Sequence, residues 1–160
     1  MSSTLTLAQA NAIIAAALQQ ARTAGYKPMS VVVVDDAGYV RSAQREDDAS
    51  MFRTDIALGK AWAAVAMGVS SRVLTQRAKD VPSFFNALAS AGQGKFIPQT
   101  GAVVICDEKG KVIGAAGASR GSGDEGTSGH WATMAFTRPM AASAAFSAGH
   151  LSTAILVMAL

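Results

Sequence analysis

Leu7, Ala10, Ile14, Ala17, Leu18 and Ala21 recur three and four residues apart, the period of one helical face. Thr6-Leu7-Ala8-Gln9 precedes them as a capping box, with Thr6 as N-cap and Gln9 reaching back to it. Gly25 stops this helix, and Pro28 resets the backbone to an extended conformation. The β-branched run Val31 to Val34 then reads as a buried strand. Asp35-Asp36-Ala37-Gly38 is a tight turn in which Gly38 is free to take positive φ, and Tyr39 to Arg45 returns as the antiparallel partner strand.

Ser50 to Met67 is Ala-rich and periodic, with Ile56, Lys60, Ala63, Ala64 and Met67 following one face, so a second long helix is predicted. Asp48 or Ser50 stands where an N-cap belongs. Ser70-Ser71 and Pro82-Ser83 read as caps of two shorter helices, about 71–79 and 83–91, and Gly92-Gln93-Gly94 closes that region. Ala102 to Cys106 is an apolar strand, Asp107-Glu108-Lys109-Gly110 a turn, and Lys111 to Ala118 the partner strand. The second hairpin echoes the first, a buried strand running into an acidic turn that ends in Gly. Helix, hairpin, helices, hairpin is not the alternation of a parallel sheet. It predicts an α+β fold, an antiparallel sheet with helices packed against it, in one domain spanning 1–160.

Half of the 160 residues are hydrophobic and 16% are charged, which supports a real core and excludes wholesale disorder. The lone cysteine, Cys106, excludes an intrachain disulfide framework and a multi-cysteine zinc site. A net charge of +3 is too small to signal a nucleic-acid partner. The stretch 139–160 carries no formal charge, but Ser143, Ser147, Gly149, His150, Ser152 and Thr153 dilute it below a spanning helix, so no membrane partner is expected. No basic segment precedes the first apolar stretch as it would in a signal peptide, and the expectation is a cytoplasmic protein.

There is no GxxxxGK[ST] and no HExxH, and no metal site is expected. A Ser/His/Asp triad can be written from Ser119, His130 and Asp124, but spacing alone gives it almost no specificity. Arg45-Glu46-Asp47-Asp48, at the end of a strand, reads either as a ligand-facing Arg with acidic partners or as a solvated turn before the helix. Lys60 sits among Ile56, Leu58, Ala61, Trp62, Ala64 and Val65; such a lysine either snorkels or is held by a buried acceptor, and a buried one could transfer protons. Gly114 to Gly129 reads as an anion nest or a surface loop. Cys106, Trp62, Phe84, Phe85 and Phe96 read as core.

Taken in order, several segments resemble the GlcG/HbpS family, the haem-degrading or DUF336 family that includes the C-terminal domain of PduO-type proteins. They are Val31-Val32-Val33-Val34-Asp35-Asp36-Ala37-Gly38, Arg45-Glu46-Asp47-Asp48-Ala49, Asp55-Ile56-Ala57-Leu58-Gly59-Lys60-Ala61, Thr100-Gly101-Ala102-Val103-Val104 and Gly114-Ala115-Ala116-Gly117-Ala118-Ser119. The resemblance runs from about Leu5 to Glu125. It implies a profilin-like fold, a symmetric oligomer that is often an octamer, and haem or corrinoid binding in some members. It places Arg45, Asp47 and Lys60 near a shared pocket, with Ser119, Asp124 and Glu125 in the C-terminal motif. The chain departs from the family twice. It has no histidine between Met1 and Gly129, and from about residue 126 an unfamiliar tail follows that carries one formal charge, Arg138. So sparse a tail should bury itself, most simply against a neighbouring subunit.

The expectation is therefore a homo-oligomer that binds a small organic or anionic ligand. Arg45 pairs with the ligand's charge, Lys60 is the candidate proton-transfer group, and Asp47, Ser119, Asp124 and Glu125 complete the lining. The alternatives are a haem-binding or haem-degrading protein, whose iron ligand would be His130, and a structural accessory oligomer.

Overall fold

The computed structural model describes residues 4–120 and 156–158. The capping box is as expected: Gln9 N donates to Thr6 Oγ1 over 3.2 Å, and Thr6 N donates to Gln9 Oε1 over 2.9 Å. Helix α1 runs Leu7–Thr23, and Gly25, at φ +68°, ends it. Its buried stripe, Ala10, Ile13, Ile14, Ala17 and Ala21, is the face the periodicity marks.

Strand β1 spans Met29–Asp35 and is buried from Met29 to Val34, because it has a neighbour on either side. It is followed by β2 (Val40–Arg45), α2 (Phe52–Met67), α3 (Ser71–Asp80), α4 (Pro82–Ala91), β3 (Ala102–Cys106), β4 (Val112–Arg120) and β5 (Leu156–Met158). The strands form one sheet in the order β2-β1-β4-β3-β5, every neighbouring pair antiparallel. The α+β expectation holds. Of the sparsely charged tail, Leu156–Met158 pairs with β3 of the same chain, which the sequence did not foretell.

The two hairpins repeat one hydrogen-bond design. Asp35 Oδ1 accepts from Ala37 N and Tyr39 N, and Asp107 Oδ1 accepts from Lys109 N and Lys111 N. In each turn the glycine, Gly38 or Gly110, has positive φ and donates to the aspartate carbonyl. A register shift follows at the same place, between Val33 and Val34 in one hairpin and between Ile105 and Cys106 in the other.

Alternation along the strands divides the core. Val31, Val33, Val103, Ile105, Ala116 and Ala118 meet α1 on one face. Val32, Val34, Ala102, Val104 and Ala115 meet Ala57, Ala61 and Ala64 of α2 on the other. A satellite cluster of Ala63, Leu74, Phe85 and Phe96 joins α2 to α3 and α4, with Trp62 edge-on to Phe96 at 6.4 Å. Phe84, expected in the core, is 54% exposed, since Phe85 is the only buried residue of α4. Neither Asp48 nor Ser50 caps α2. Met51 occupies the N-cap in helical conformation with no side-chain bond, and Asp48, at φ +65°, turns the chain instead.

Ser71 fastens α3 to the sheet. Ala102 N donates to its Oγ over 2.7 Å, and that hydroxyl donates back to the Ala102 carbonyl over 3.0 Å, all of it buried. Ser71→Ala strands both backbone groups. A loss of about 1–3 kcal/mol is expected in urea denaturation, and an unchanged midpoint would show that this link is not made.

Candidate functional site

Helix α2 carries two cations on one face. Arg53 and Lys60 are seven residues apart, two turns, roughly 10 Å along the axis. Between them Ala57, and after them Ala61, lie flat on β4. That close approach is possible because β4 has Gly117 there: a Cβ at Gly117 would run into the Ala57 carbonyl oxygen and stand 2.9 Å from Ala61 N.

At the Arg53 end of this seam three residues align across the sheet. Ser30 of β1 pairs in register with Arg45 of β2 and with Ser119 of β4. Facing residues of neighbouring strands share one side of a sheet. Ser30 Oγ shares a 3.0 Å hydrogen bond with Thr54 Oγ1 of α2, and Arg53 Nη1 donates to Ser119 Oγ over 3.4 Å. Ser30 and Ser119 are both buried. Arg53 Nε is buried and has no hydrogen-bond partner among the described residues. A buried donor left unsatisfied costs about 1–3 kcal/mol, and more when charged.

Lys60 is half-buried and lies along the entry to β3. Gly101 makes room for it. At φ +120° that residue accepts no ordinary side chain, and a Cβ there would stand 3.3 Å from Lys60 Nζ and 2.9 Å from the Ala118 carbonyl oxygen. Lys60 is thus neither fully snorkelled nor sealed in the core.

Arg45 ends the row with Ser119 and Ser30 at the sheet edge, and Asp47 follows it. Both are exposed and line a groove of about 350 Å³ with Leu18, Arg22, Pro28, Gln44 and Glu46. Lys60 is not in its wall. Arg45 and Asp47 lie at the end of β2, at the sheet edge, while Lys60 rides on α2 beside Gly101. The groove's charges are largely spent internally. Arg22 Nε meets Glu46 Oε1 at 2.8 Å, Arg22 Nη2 and Met29 N both donate to Glu46 Oε2, and Arg45 Nη1 donates to the Ala49 carbonyl.

Asp124, Glu125 and His130 lie outside the described residues. Arg53, Ser30 and Thr54 escaped the sequence reading. The available signals were that Arg53 precedes Lys60 by two helical turns, and that two small polar residues, Ser30 and Ser119, end otherwise apolar strands. Cys106 is buried among Val104, Ala115 and their neighbours, and burial, with Asp107 beside it, raises its thiol above the ordinary 9.0. It is a core residue, protonated at neutral pH, and not a nucleophile. Among the described residues no group of three or more His, Cys, Asp or Glu could hold a metal, and no helix is long and apolar enough to cross a membrane.

Comparison with known proteins agrees with this architecture. A search of the curated proteins returns no match. Among solved structures, the PduOC:haem complex is 27% identical, with 83% of this chain and 93% of that one covered and a TM-score of 0.70. The DUF336 protein ORFY of Klebsiella pneumoniae is 28% identical, with 84% and 90% covered and a TM-score of 0.72. A variant of Streptomyces reticuli HbpS, 24% identical with 84% and 86% covered, shares the fold at a TM-score of 0.69. The family model described as haem degrading protein HbpS-like matches residues 5–128. With most of its length matched, the chain belongs to the HbpS-like family of haem-degrading proteins.

Proposed function

We propose that the chain binds a small organic ligand that carries an acidic group, and seats that group at the Arg53 end of the seam between α2 and β4. One observation carries this reading: Arg53 and Lys60 share a helix face, and the hydroxyls of Ser119, Ser30 and Thr54 line the end where Arg53 lies. Two cations beside a row of hydroxyls attract an oxyanion, and hydrogen bonds to charged groups are the stronger kind. Lys60 is the group positioned to move a proton if the ligand is transformed. Ser119 leads directly into Asp124 and Glu125, which keep their place in the proposed ligand set, and Arg45 with Asp47 forms the outer rim. A homo-oligomer, with an octamer as its specific form, belongs to the same reading. It is supported by family membership and by the apolar side chains left exposed on the monomer, Met51, Phe52, Val81 and Phe84.

Haem is the second reading, favoured by the similarity to the PduOC:haem complex. The described residues fit part of it. The seam suits a carboxylate, and haem carries two propionates. A histidine or cysteine-thiolate axial ligand is not provided there, since the described residues include no histidine and Cys106 is a buried, protonated thiol. His130 is the proposed ligand under this reading, and no iron chemistry is derived from it.

A thermal-shift panel of small carboxylates, phosphate and haemin tests the proposal. A ligand specific to the native state adds about 2.7 kcal/mol of stability at one hundred times its Kd. A rise in Tm with carboxylates is expected. No rise with any carboxylate rejects the reading. A Soret band on haemin addition that His130→Ala alters would put the haem reading ahead.

A further inference from the structure

We infer that copies of the chain join head to tail, the corner between α3 and α4 of one copy seating on the start of α2 of the next; this rests on the chain being a homo-oligomer. Two exposed faces carry the inference. At the corner stand Val81 and Phe84, and at the start of α2 stand Met51 and Phe52, all four between 48% and 78% exposed. The exposed cations Arg72, Arg77 and Lys79 accompany the first pair, and the exposed carboxylates Asp47, Asp48 and Asp55 accompany the second. None of these six charges forms an ion pair among the described residues. The countercharges within each face are engaged already. Asp80 accepts from Gln76 Nε2 over 3.0 Å, Arg45 donates to the Ala49 carbonyl, and Arg53 is half-buried and turned to Ser119. Each face is therefore an apolar pair beside three charges, and the two sets of charges are opposite in sign.

The corner is rigid. Val81 alone joins the two helices; its N–H donates to the Arg77 carbonyl over 3.0 Å, and its own carbonyl accepts from Phe85 N over 3.3 Å. Phe85 is buried, edge-on to Phe84 at 5.8 Å and 6.0 Å from Phe96, so the exposed ring stands on a fixed base. A side chain held in place beforehand loses little entropy on docking. Charge decides which faces meet. Corner against corner sets cations opposite cations, and start against start sets carboxylates opposite carboxylates; like charges brought together at an interface oppose binding. Corner against start surrounds an apolar centre with complementary charges, which is the anatomy of a protein interface. Such a contact uses two different faces of each copy. It leaves one of each free on every open chain of copies, so it continues until a ring closes.

Light scattering on the full chain and on charge-reversed variants tests the joint. Wild type is expected as an oligomer. Arg77→Glu with Lys79→Glu reverses the corner, and Asp47→Lys with Asp55→Lys reverses the start of α2. Each double variant alone is expected to dissociate, its joint weakened by at least roughly tenfold. Mixed in equal amounts, the two are expected to reassemble, because each then meets opposite charge at both of its faces. Phe84→Ser changes an exposed position and should weaken the joint by a similar factor. Should a reversed variant fail to fold, carbodiimide treatment of mixed labelled and unlabelled wild type is expected to link Lys79 of one copy to Asp47, Asp48 or Asp55 of another, read by mass spectrometry. A monomeric wild type removes both the oligomer and the joint. An oligomer that every folded variant leaves intact, dissociated variants that do not reassemble on mixing, or native copies that give no such cross-link, overturn the joint while the oligomer stands.

Discussion

Gly117→Ala lowers the stability of the fold by about 3 kcal/mol, the upper end of what overpacking usually costs, and Gly117→Val prevents folding. The added Cβ meets the Ala57 carbonyl oxygen and comes within 2.9 Å of Ala61 N and 3.0 Å of Ala61 Cβ. None of these is the loose end of a side chain. Two belong to helix backbone, whose hydrogen bonds fix it, so α2 must lift off β4 as a unit. Lifting would open the packing of Ala57, Ala61 and Ala64 against Val32, Val34 and Ala115. Such a core of small side chains holds by close contact, and a gap of half an ångström or so forfeits a quarter or more of each contact. Gly110→Ala is the control. Gly110, unlike Gly117, has positive φ, at +79°, and nothing lies within 4 Å of an added Cβ, so only backbone strain of about 1–2 kcal/mol is expected. Urea denaturation separates the two. Equal midpoints for Gly117→Ala and wild type would mean that α2 is not seated on β4 as described.

The fold was largely legible because its signals are local. Thr6 and Gln9 are three residues apart, Gly25 follows the last helical turn, and each hairpin turn places its aspartate three residues before its glycine. Boundaries slipped where tertiary contact decides. Met29 and Ser30 join β1 because β4 and β2 flank them, and Phe84 is exposed because Phe85 takes the one inward position of α4. The site was legible only in part. Lys60 stands out as a charge in an apolar stretch, and Ser119 ends an apolar strand. Arg53 does not stand out, since a charged residue in a first helical turn is ordinary on paper. Its meaning comes from contacts across 66 residues of sequence, to Ser119, and from a missing partner for Nε. Arg45 and Asp47 share a groove whose wall does not include Lys60. Neighbouring motifs in sequence occupy different layers, the edge of the sheet and the helix above its centre.

Lys60→Met is the most direct probe of the seam as a ligand site. The substitution keeps an unbranched apolar stem, which continues to fill the space beside Gly101 now occupied by Lys60 Cδ, 3.4 Å from where a Cβ would lie. The core alanines of α2 are untouched, so the fold should melt within a few degrees of wild type. What disappears is the ammonium group at the mouth of β3. A charge-assisted hydrogen bond contributes about 1.5–3 kcal/mol, which corresponds to a roughly ten- to hundredfold loss of affinity. The measurement is calorimetric titration of wild type and Lys60→Met with the carboxylate that raises Tm most in the panel. The account predicts a native-like melt for the variant and affinity weakened by at least about tenfold. A folded Lys60→Met that binds that carboxylate as tightly as wild type would contradict it.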